Sequence, residues 1–173
     1  MAGLWIAAVD VDYRDDGAVA AAVCFDRWQA QAQAQAPATE RVVRIDAVAP
    51  YRPGRFFERE LPALLSVLEG VHSDVVIVDG YVWLRAPGQR PGLGAYLHAA
   101  LEEGSRPVVI GVAKNRFAGA ESVEVLRGGS ARPLYVTPVG IGQDEAAAAI
   151  HAMHGAHRFP TLLGRVDRLA RQR

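Results

Sequence analysis

The sequence has one cysteine, one lysine and no long uninterrupted apolar run among its 173 residues. A single cysteine excludes an internal disulfide, and the position of Cys24 inside an apolar segment predicts a buried thiol. The N-terminal apolar stretch is interrupted by Asp10 too early for a signal peptide or a membrane span, and no later run qualifies. We therefore predict a soluble, cytoplasmic protein.

Neither sign of charge is in excess, because 19 Lys and Arg residues balance 19 Asp and Glu residues. This balance neither supports nor excludes a nucleic acid partner, since a neutral total can hide a basic face. All of these 19 basic residues are arginines except Lys114. Lysine offers a compact, mobile point charge that arginine cannot mimic, which makes Lys114 a candidate functional residue. The chain length, with half of the residues apolar, predicts one domain over residues 1–173.

Two apolar runs that end in aspartate are the candidate centre of the fold. The run from Leu4 to Asp12 is followed by an Asp-Gly turn and the apolar run Ala18 to Phe25, which predicts a hairpin with Asp10 near a strand end. The run from Asp74 to Gly80 is β-branched and contains Asp79 at its end. Such runs are typical of buried parallel strands. Two aspartates brought together would repel unless one is protonated or a divalent cation neutralises them, and oxygen ligands suit Mg²⁺.

The other helices and strands are predicted from the spacing of apolar residues and from the Gly and Pro residues that interrupt it. An amphipathic helix over residues 55–68 has Glu60 in its apolar stripe, where a carboxylate needs a partner or a metal unless it lies at the edge. The alternating Ala/Gln tract over residues 30–36 is interpreted as a solvated connection. The further predicted elements are an edge-like strand over 40–48, a helix over 94–103, a strand over 107–115, a hairpin of 122–126 with 133–138, and helices over 143–154 and 161–173.

Two candidate residues have plain structural alternatives. Tyr51 lies on a loop that two prolines make rigid, so its ring could act as a wedge or a stacking platform for a base. From this segment alone, packing of Tyr51 over the following helix is the favoured interpretation. Asp167 stands among Arg165, Arg168 and Arg171, and an ordinary surface ion pair would explain it equally well.

The order of elements predicts an α/β fold, a ribonuclease-H-like mixed sheet flanked by helices. A three-strand antiparallel meander would continue into parallel strands. This architecture supports a two-metal site built from carboxylates on the first and fourth strands, in which the ions stabilise the attacking and leaving oxygens of a phosphodiester.

The sequence resembles the endonuclease V family in six stretches that occur in family order. They are VDVDY at 9–13, PYRPG at 50–54 with FERE at 57–60, VDG at 78–80, GVAKN at 111–115, RPLYVTPVG at 132–140, and HG at 154–155 with RFP at 158–160 running on to Asp167. The resemblance implies a Mg²⁺-dependent endonuclease of nucleic-acid repair. It would hydrolyse a phosphodiester near a deaminated base, inosine or deoxyinosine, in DNA or RNA.

The resemblance also implies roles for individual residues. Asp10, Asp79, Glu60 and Asp167 would form the Mg²⁺ site, with Mn²⁺ as an expected substitute, and Lys114 would lie by the scissile phosphate. Tyr51 would be the wedge that fills the gap left by a flipped base, and Gly54 and Gly80 would admit hypoxanthine. We further predict that Arg85 contacts the lesion, because it lies in the pocket loop. The expected partner is a nucleic acid, with no membrane, and the protein is expected to be a monomer.

The chain departs from the family in its pocket loop. Tyr81-Val82 and Leu84 to Ala86 replace the family's residues after VDG, Arg52 replaces an apolar residue, and the chain begins almost at the first strand, where the family has a helical segment. These changes fall on the lesion pocket and spare the predicted metal ligands, so hydrolytic chemistry is better supported than inosine specificity. Two alternatives stay open: a catalytically diverged nucleic-acid-binding or scaffold protein, and a nuclease with another substrate such as branched DNA.

Overall fold

The computed structural model describes residues 3–29, 39–101 and 106–172. The Ala/Gln tract of residues 30–36 lies outside the described residues, as do the predicted helix ends at Glu103 and Arg173. None of the helices in the described part of the chain is long and apolar enough to cross a membrane.

Every predicted strand and helix has a counterpart in the described residues, with ends shifted by a few positions. The elements are β1 (Ile6–Arg14), β2 (Gly17–Phe25), β3 (Thr39–Ile45), α1 (Phe57–Leu68), β4 (Val75–Asp79), α2 (Leu93–Ala100), β5 (Val108–Ala113), β6 (Val123–Val125), β7 (Leu134–Val139), α3 (Gln143–Ala152) and α4 (Thr161–Arg171).

The strands form one mixed sheet in the order β3-β2-β1-β4-β5-β7-β6. Strands β1, β4 and β5 are parallel, whereas the pairs β1–β2, β2–β3, β5–β7 and β6–β7 are antiparallel. An antiparallel meander therefore continues into parallel strands, as predicted. β3 forms one edge of the sheet, and its residues are exposed or only partly buried, which confirms the edge-like strand.

Helices cover both faces of the sheet because the central strands are apolar on both sides. Ile6 and Ala8 of β1 pack in the cluster that contains the apolar residues of α3 and α4. Ala7 and Val9 pack in the opposite cluster with α1 and α2. The continuous apolar runs were thus correctly interpreted as buried strands. Cys24 is buried in the second cluster, which confirms the predicted buried thiol.

The position of Asp10 within β1 differs from the prediction. Asp10 lies in the middle of the strand, which continues to Arg14, because the hairpin with β2 pairs every residue from Ile6 to Arg14. The parallel pairing with β4 stops earlier, at Val9 opposite Val78. Asp10 is therefore the first residue of β1 beyond its parallel partner.

Candidate active site

Five carboxylates line one cavity of about 360 Å³, and four of them are predicted site residues from four different elements. The fifth, Asp12, is ion-paired with Arg14. The four predicted residues are Asp10 of β1, Glu60 of α1, Asp79 of β4 and Asp167 of α4. The parallel pairing of Val9 with Val78 explains the first pair, because the next residue on each strand is an aspartate. The predicted acidic residues are far apart in the sequence, and the fold brings all four to the same place.

The two helices reach this cavity from opposite faces of the sheet. Strand alternation places Asp10 and Asp79 on the face of Ile6 and Ile77, which is the face covered by α4 and Asp167. Glu60 comes from α1 on the other face. The cavity therefore lies at the end of the β1–β4 parallel pair, between the two helical layers.

Burial and mutual repulsion disfavour the charged form of Asp10. Its pKa rises from 3.8 to about 7, first because of desolvation and then because of the charge of Asp79, with a smaller contribution from Asp167. One interaction opposes the rise: the backbone N–H of Val11 donates to Asp10 Oδ1 at 2.9 Å. A carboxyl group in this position gains from a cation placed close to it.

Glu60 and Asp79 show the same effect. Desolvation, followed by the charges of Asp10 and Asp79, raises the pKa of Glu60 to about 8. The Arg59 guanidinium, which lies 4.2 Å above the Tyr13 ring centroid, opposes that rise. Desolvation also raises the pKa of Asp79, and Lys114 lowers it again. The site thus concentrates negative charge that its neighbours only partly compensate.

Two cations border the cluster. Lys114 Nζ lies 3.9 Å from Asp79 Oδ2, with 36% and 45% of the two side chains exposed, and an ion pair this accessible to solvent is weak. Arg171 Nη2 lies 3.1 Å from Asp167 Oδ1, one helical turn away. The ion pair considered as the alternative for Asp167 therefore exists, yet Asp167 also lines the acidic cavity.

The donor chemistry of the cavity fits Mg²⁺. Its candidate ligands are all carboxylate oxygens, the type that this hard cation prefers. Within residues 3–29, 39–101 and 106–172, no group of three or more Asp, Glu, His or Cys side chains is arranged to hold a metal ion by itself. Mg²⁺ does not require such a group, because it keeps several waters and is usually held by one or two carboxylates together with substrate phosphates. Asp10 and Asp79 follow paired residues on neighbouring strands, and they lie close enough for the charge of Asp79 to raise the pKa of Asp10.

A second cavity, of about 410 Å³, shares Asp79 and Gly80 with the first. Its walls are largely aromatic and apolar, and one side chain in them, Arg90, carries a full positive charge. The lining also includes Gly54, Phe56, Phe57, Tyr81, Leu84, Pro91, Gly92, Leu93, Tyr96 and Phe117. Phe57 and Tyr96 stack with ring centroids 3.8 Å apart. Such a cavity offers planar surfaces and a charged hydrogen-bond donor side by side.

The wall between the two cavities is fixed by close backbone packing. A Cβ at Gly111 of β5 would lie 2.5 Å from the carbonyl oxygen of Gly80 and 2.8 Å from the nitrogen of Val82, so only glycine fits there. The buried Thr137 Oγ1 accepts a hydrogen bond from the Val82 N–H at 2.8 Å. Tyr81 Oη donates to the Asn115 carbonyl at 2.7 Å and accepts from the Phe117 N–H at 2.9 Å.

The structure brings only part of the predicted lesion-contact set to the second cavity. Gly54 and Gly80 line it, with φ of +75° and +121° that favour glycine. Tyr51 is 63% exposed, so helix α1 leaves most of its ring uncovered, contrary to the alternative favoured from the segment alone. Arg85, which we predicted to contact the lesion, is exposed and does not line this cavity, whereas Arg90 from the same loop does.

Sequence reasoning missed Arg90 as a lining residue and did not single out Phe117. The loop over 81–92 carries two arginines, Arg85 and Arg90, and composition cannot tell which of them lines the cavity. In the fold, Leu84 donates to the Arg90 carbonyl and Trp83 bridges to Pro91, which folds the loop back on itself. The Arg90 guanidinium carbon then lies 5.9 Å from the Phe117 ring centroid.

The mixed sheet and the acidic site together define a ribonuclease-H-like protein. The family model described as Endonuclease V matches residues 3–158, and the chain belongs to the endonuclease V family. The matched range includes Asp10, Glu60, Asp79 and Lys114 and stops before Asp167.

Similar proteins and solved structures that carry the name endonuclease V agree with this assignment. Endonuclease V from Streptomyces coelicolor is 33% identical over 192 residues, covering 96% of this chain and 77% of that protein. The crystal structure of endonuclease V from Streptomyces avermitilis superimposes with a TM-score of 0.73 at 30% identity, covering 98% of this chain and 81% of that one. Endonuclease V from Ciona intestinalis was crystallised with a 24mer DNA containing an inosine followed by a ribo-adenosine. It shares the fold with a TM-score of 0.71 at 16% identity, and the match covers 98% of this chain and 84% of that one. The chain spans about half the length of several other curated relatives that it matches.

Proposed function

We propose that this protein is a Mg²⁺-dependent endonuclease that hydrolyses a phosphodiester near a deaminated base, inosine or deoxyinosine, in DNA or RNA. The observation that carries the proposal is the meeting of Asp10, Glu60, Asp79 and Asp167 at one cavity, with the lone Lys114 beside it. A role in nucleic-acid repair, a cytoplasmic location and a monomeric state stay predictions.

In this proposal the acidic cavity binds the scissile phosphate. Asp10 and Asp79 would hold the metal, and Glu60 and Asp167 would complete its surroundings through bound water or direct contact. Bound Mg²⁺ supplies water activation and neutralisation of the charge that develops on the phosphodiester oxygens. Lys114 contributes a positive charge next to Asp79, where a phosphate oxygen would be attracted, and the weakness of its exposed ion pair leaves it free to exchange partners.

The aromatic cavity is the proposed binding site for the base. Its open rings provide stacking surfaces, and an arginine fork pairs well with the O6 and N7 acceptors of a purine, which hypoxanthine also presents. A Cβ at Gly54 or Gly80 would meet no atom within 4 Å, so the backbone there is open to a close approach. Tyr51 is exposed on its rigid loop, and in this proposal its ring would enter the stack when a base leaves it. The inosine-containing DNA bound to the Ciona intestinalis relative supports this substrate class.

One observation favours a second candidate function. Lys114 lies within ion-pair distance of Asp79, and a salt-bridged acidic site is what we expect of a nucleic-acid-binding or scaffold protein that has lost hydrolysis. Such a protein would bind nucleic acid with the same affinity whether or not Mg²⁺ is present. A nuclease that acts on another substrate, such as branched DNA, would keep the metal dependence and lose the preference for inosine.

A cleavage assay with paired substrates tests the proposal. Labelled single- and double-stranded DNA and RNA, each with and without inosine, are incubated with Mg²⁺ or with EDTA. We expect cleavage of inosine-containing substrates only with Mg²⁺, and none by Asp79→Asn. Asp46→Asn is the matched control, because that side chain is 92% exposed and lies outside both cavities. Equal cutting by wild type and Asp79→Asn would refute the site, whereas binding measured by fluorescence anisotropy without any cleavage would support the scaffold.

A further inference from the structure

The ammonium group of Lys114 has two neighbours at the edge of the acidic cavity. Its Nζ lies 3.9 Å from Asp79 Oδ2 and 4.4 Å from the centroid of the Phe159 ring. A cation at this distance from an aromatic face is attracted by the negative potential of the ring. The ammonium group of Lys114 therefore has one charged neighbour, Asp79, and one uncharged neighbour, the ring of Phe159.

The residue next to Phe159 holds the backbone of the same lysine. The guanidinium Nη2 of Arg158 donates to the carbonyl oxygen of Lys114, and also to that of Pro133 at 2.7 Å. Two consecutive side chains of the segment before α4 thus contact Lys114 at its backbone and at its ammonium. β5 ends at Ala113, so these contacts fix a residue that the sheet no longer holds.

The segment that carries Arg158 and Phe159 is itself held by the buried guanidinium group of Arg127. Arg127 is only 7% exposed, and its guanidinium donates to backbone carbonyls of this segment and of the C-terminal end of α3. A buried charge of this kind is tolerated because its N–H groups are satisfied. The accepting carbonyls belong to His151, Met153, Gly155, His157 and Arg158.

We propose that Phe159 is a positioning residue for Lys114, which keeps the ammonium at the acidic cavity independently of Asp79. This inference rests on the proposed function and adds a residue to it. A carboxylate partner would share the positive charge of Lys114, and it would leave the lysine when Asp79 engages another cation. A neutral ring keeps the ammonium in place and leaves its charge available to a phosphate oxygen.

One experiment reads the contact directly, without any activity. Lys114 is the only lysine in the chain, so protein labelled with ¹³C-lysine gives a single set of side-chain signals in an NMR spectrum. We expect the ε-methylene protons to be shifted upfield by the ring current of Phe159. That shift should persist in Asp79→Asn and vanish in Phe159→Leu. An ε-methylene shift equal to that of free lysine in the folded wild type would overturn the proposal.

A second experiment measures the consequence for catalysis. Site-specific replacement of Phe159 by mono-, di- and trifluorophenylalanine weakens the negative face of the ring stepwise and nearly preserves its shape. We expect kcat on inosine-containing DNA to fall progressively, by about two- to fivefold in total as befits a partly exposed contact, with KM little changed. Phe159→Tyr should retain activity. The same fluorination at Phe25, a core residue 1% exposed, should leave kcat unchanged.

The controls separate this inference from the proposed function. In a Lys114→Met background, fluorination of Phe159 should no longer change kcat, because the two substitutions act on one contact. If the wild type cleaves and fluorination has no effect, the role of Phe159 is refuted and the nuclease proposal stands. If the wild type does not cleave, the nuclease proposal fails, and the NMR shift still decides whether Phe159 positions Lys114.

Discussion

Replacing Asp10 by asparagine should make the protein more stable at pH 8 in EDTA, although it should remove activity. Asparagine keeps an oxygen acceptor for the Val11 N–H, which donates to Asp10 Oδ1 at 2.9 Å, and it removes the negative charge. Folding raises the pKa of Asp10 from 3.8 to about 7. For a carboxyl group whose pKa is higher in the folded state, the favourable contribution of the protonated form is full below pH 3.8 and is lost as the pH rises through about 7.

The size of the effect follows from that shift. A rise of about three units corresponds to about 4 kcal/mol at 1.36 kcal/mol per unit, which is an upper limit. Asp79 and Asp167 share the repulsion and can relax when Asp10 is replaced, so we expect Asp10→Asn to raise the unfolding free energy at pH 8 by about 1–3 kcal/mol. At pH 5 the folded carboxyl is already protonated, and the gain should be less than half as large.

Urea denaturation at pH 5, 6, 7 and 8 in EDTA measures this dependence. The difference in unfolding free energy between Asp10→Asn and wild type should grow with pH and level off above about pH 7. Asp46→Asn is the control for removing an aspartate charge, because its side chain is 92% exposed, and it should show no such growth. A pH-independent difference, or an Asp10→Asn variant less stable than wild type at pH 8, would show that the acidic cluster does not strain the fold.

Three further predictions concern the two cavities. Mg²⁺ should raise the melting temperature of the wild type and not that of Asp79→Asn, as measured by differential scanning fluorimetry; equal shifts would place the ion elsewhere. Arg90→Ala should lower the preference for inosine over adenine in competition cleavage by about five- to a hundredfold, which is the value of one bidentate base contact. Arg85→Ala should change this preference less, and the reverse order would support the original prediction for Arg85. Tyr81→Phe should destabilise the protein by about 0.5–1.5 kcal/mol in urea, because the Phe117 N–H loses its partly buried acceptor; an unchanged midpoint would mean that water replaces it.

The acidic site was predictable because its main signals are local. Asp10 and Asp79 each follow an apolar run, and parallel strands bring such positions together at one end of a sheet. Glu60 was recognisable as a carboxylate in an apolar helical stripe. The length of β1 was harder to predict, because the hairpin pairing with β2 outlasts the parallel pairing with β4, and a run of apolar letters does not show where each partner ends.

The supporting contacts could not be predicted from pattern. Lys114 and Phe159 are separated by 45 positions, and their contact depends on how the segment before α4 is folded. That fold depends in turn on Arg127, which looks like a surface residue in the sequence and is buried among backbone carbonyls. The position of Arg90 in the lining of the second cavity has the same origin, because the direction of a side chain in a loop depends on distant packing that its sequence neighbours do not encode.

The wall shared by the acidic cavity and the aromatic cavity fixes the distance between them. Asp79 and Gly80 belong to both, and Gly111 presses against the backbone behind them, so neither cavity can shift without the other. For a nuclease of the proposed kind, the flipped nucleotide and the severed bond would then be separated by a set number of links of the strand. The cleaved bond would lie at a constant number of nucleotides from the damaged base, whatever sequence lies between them.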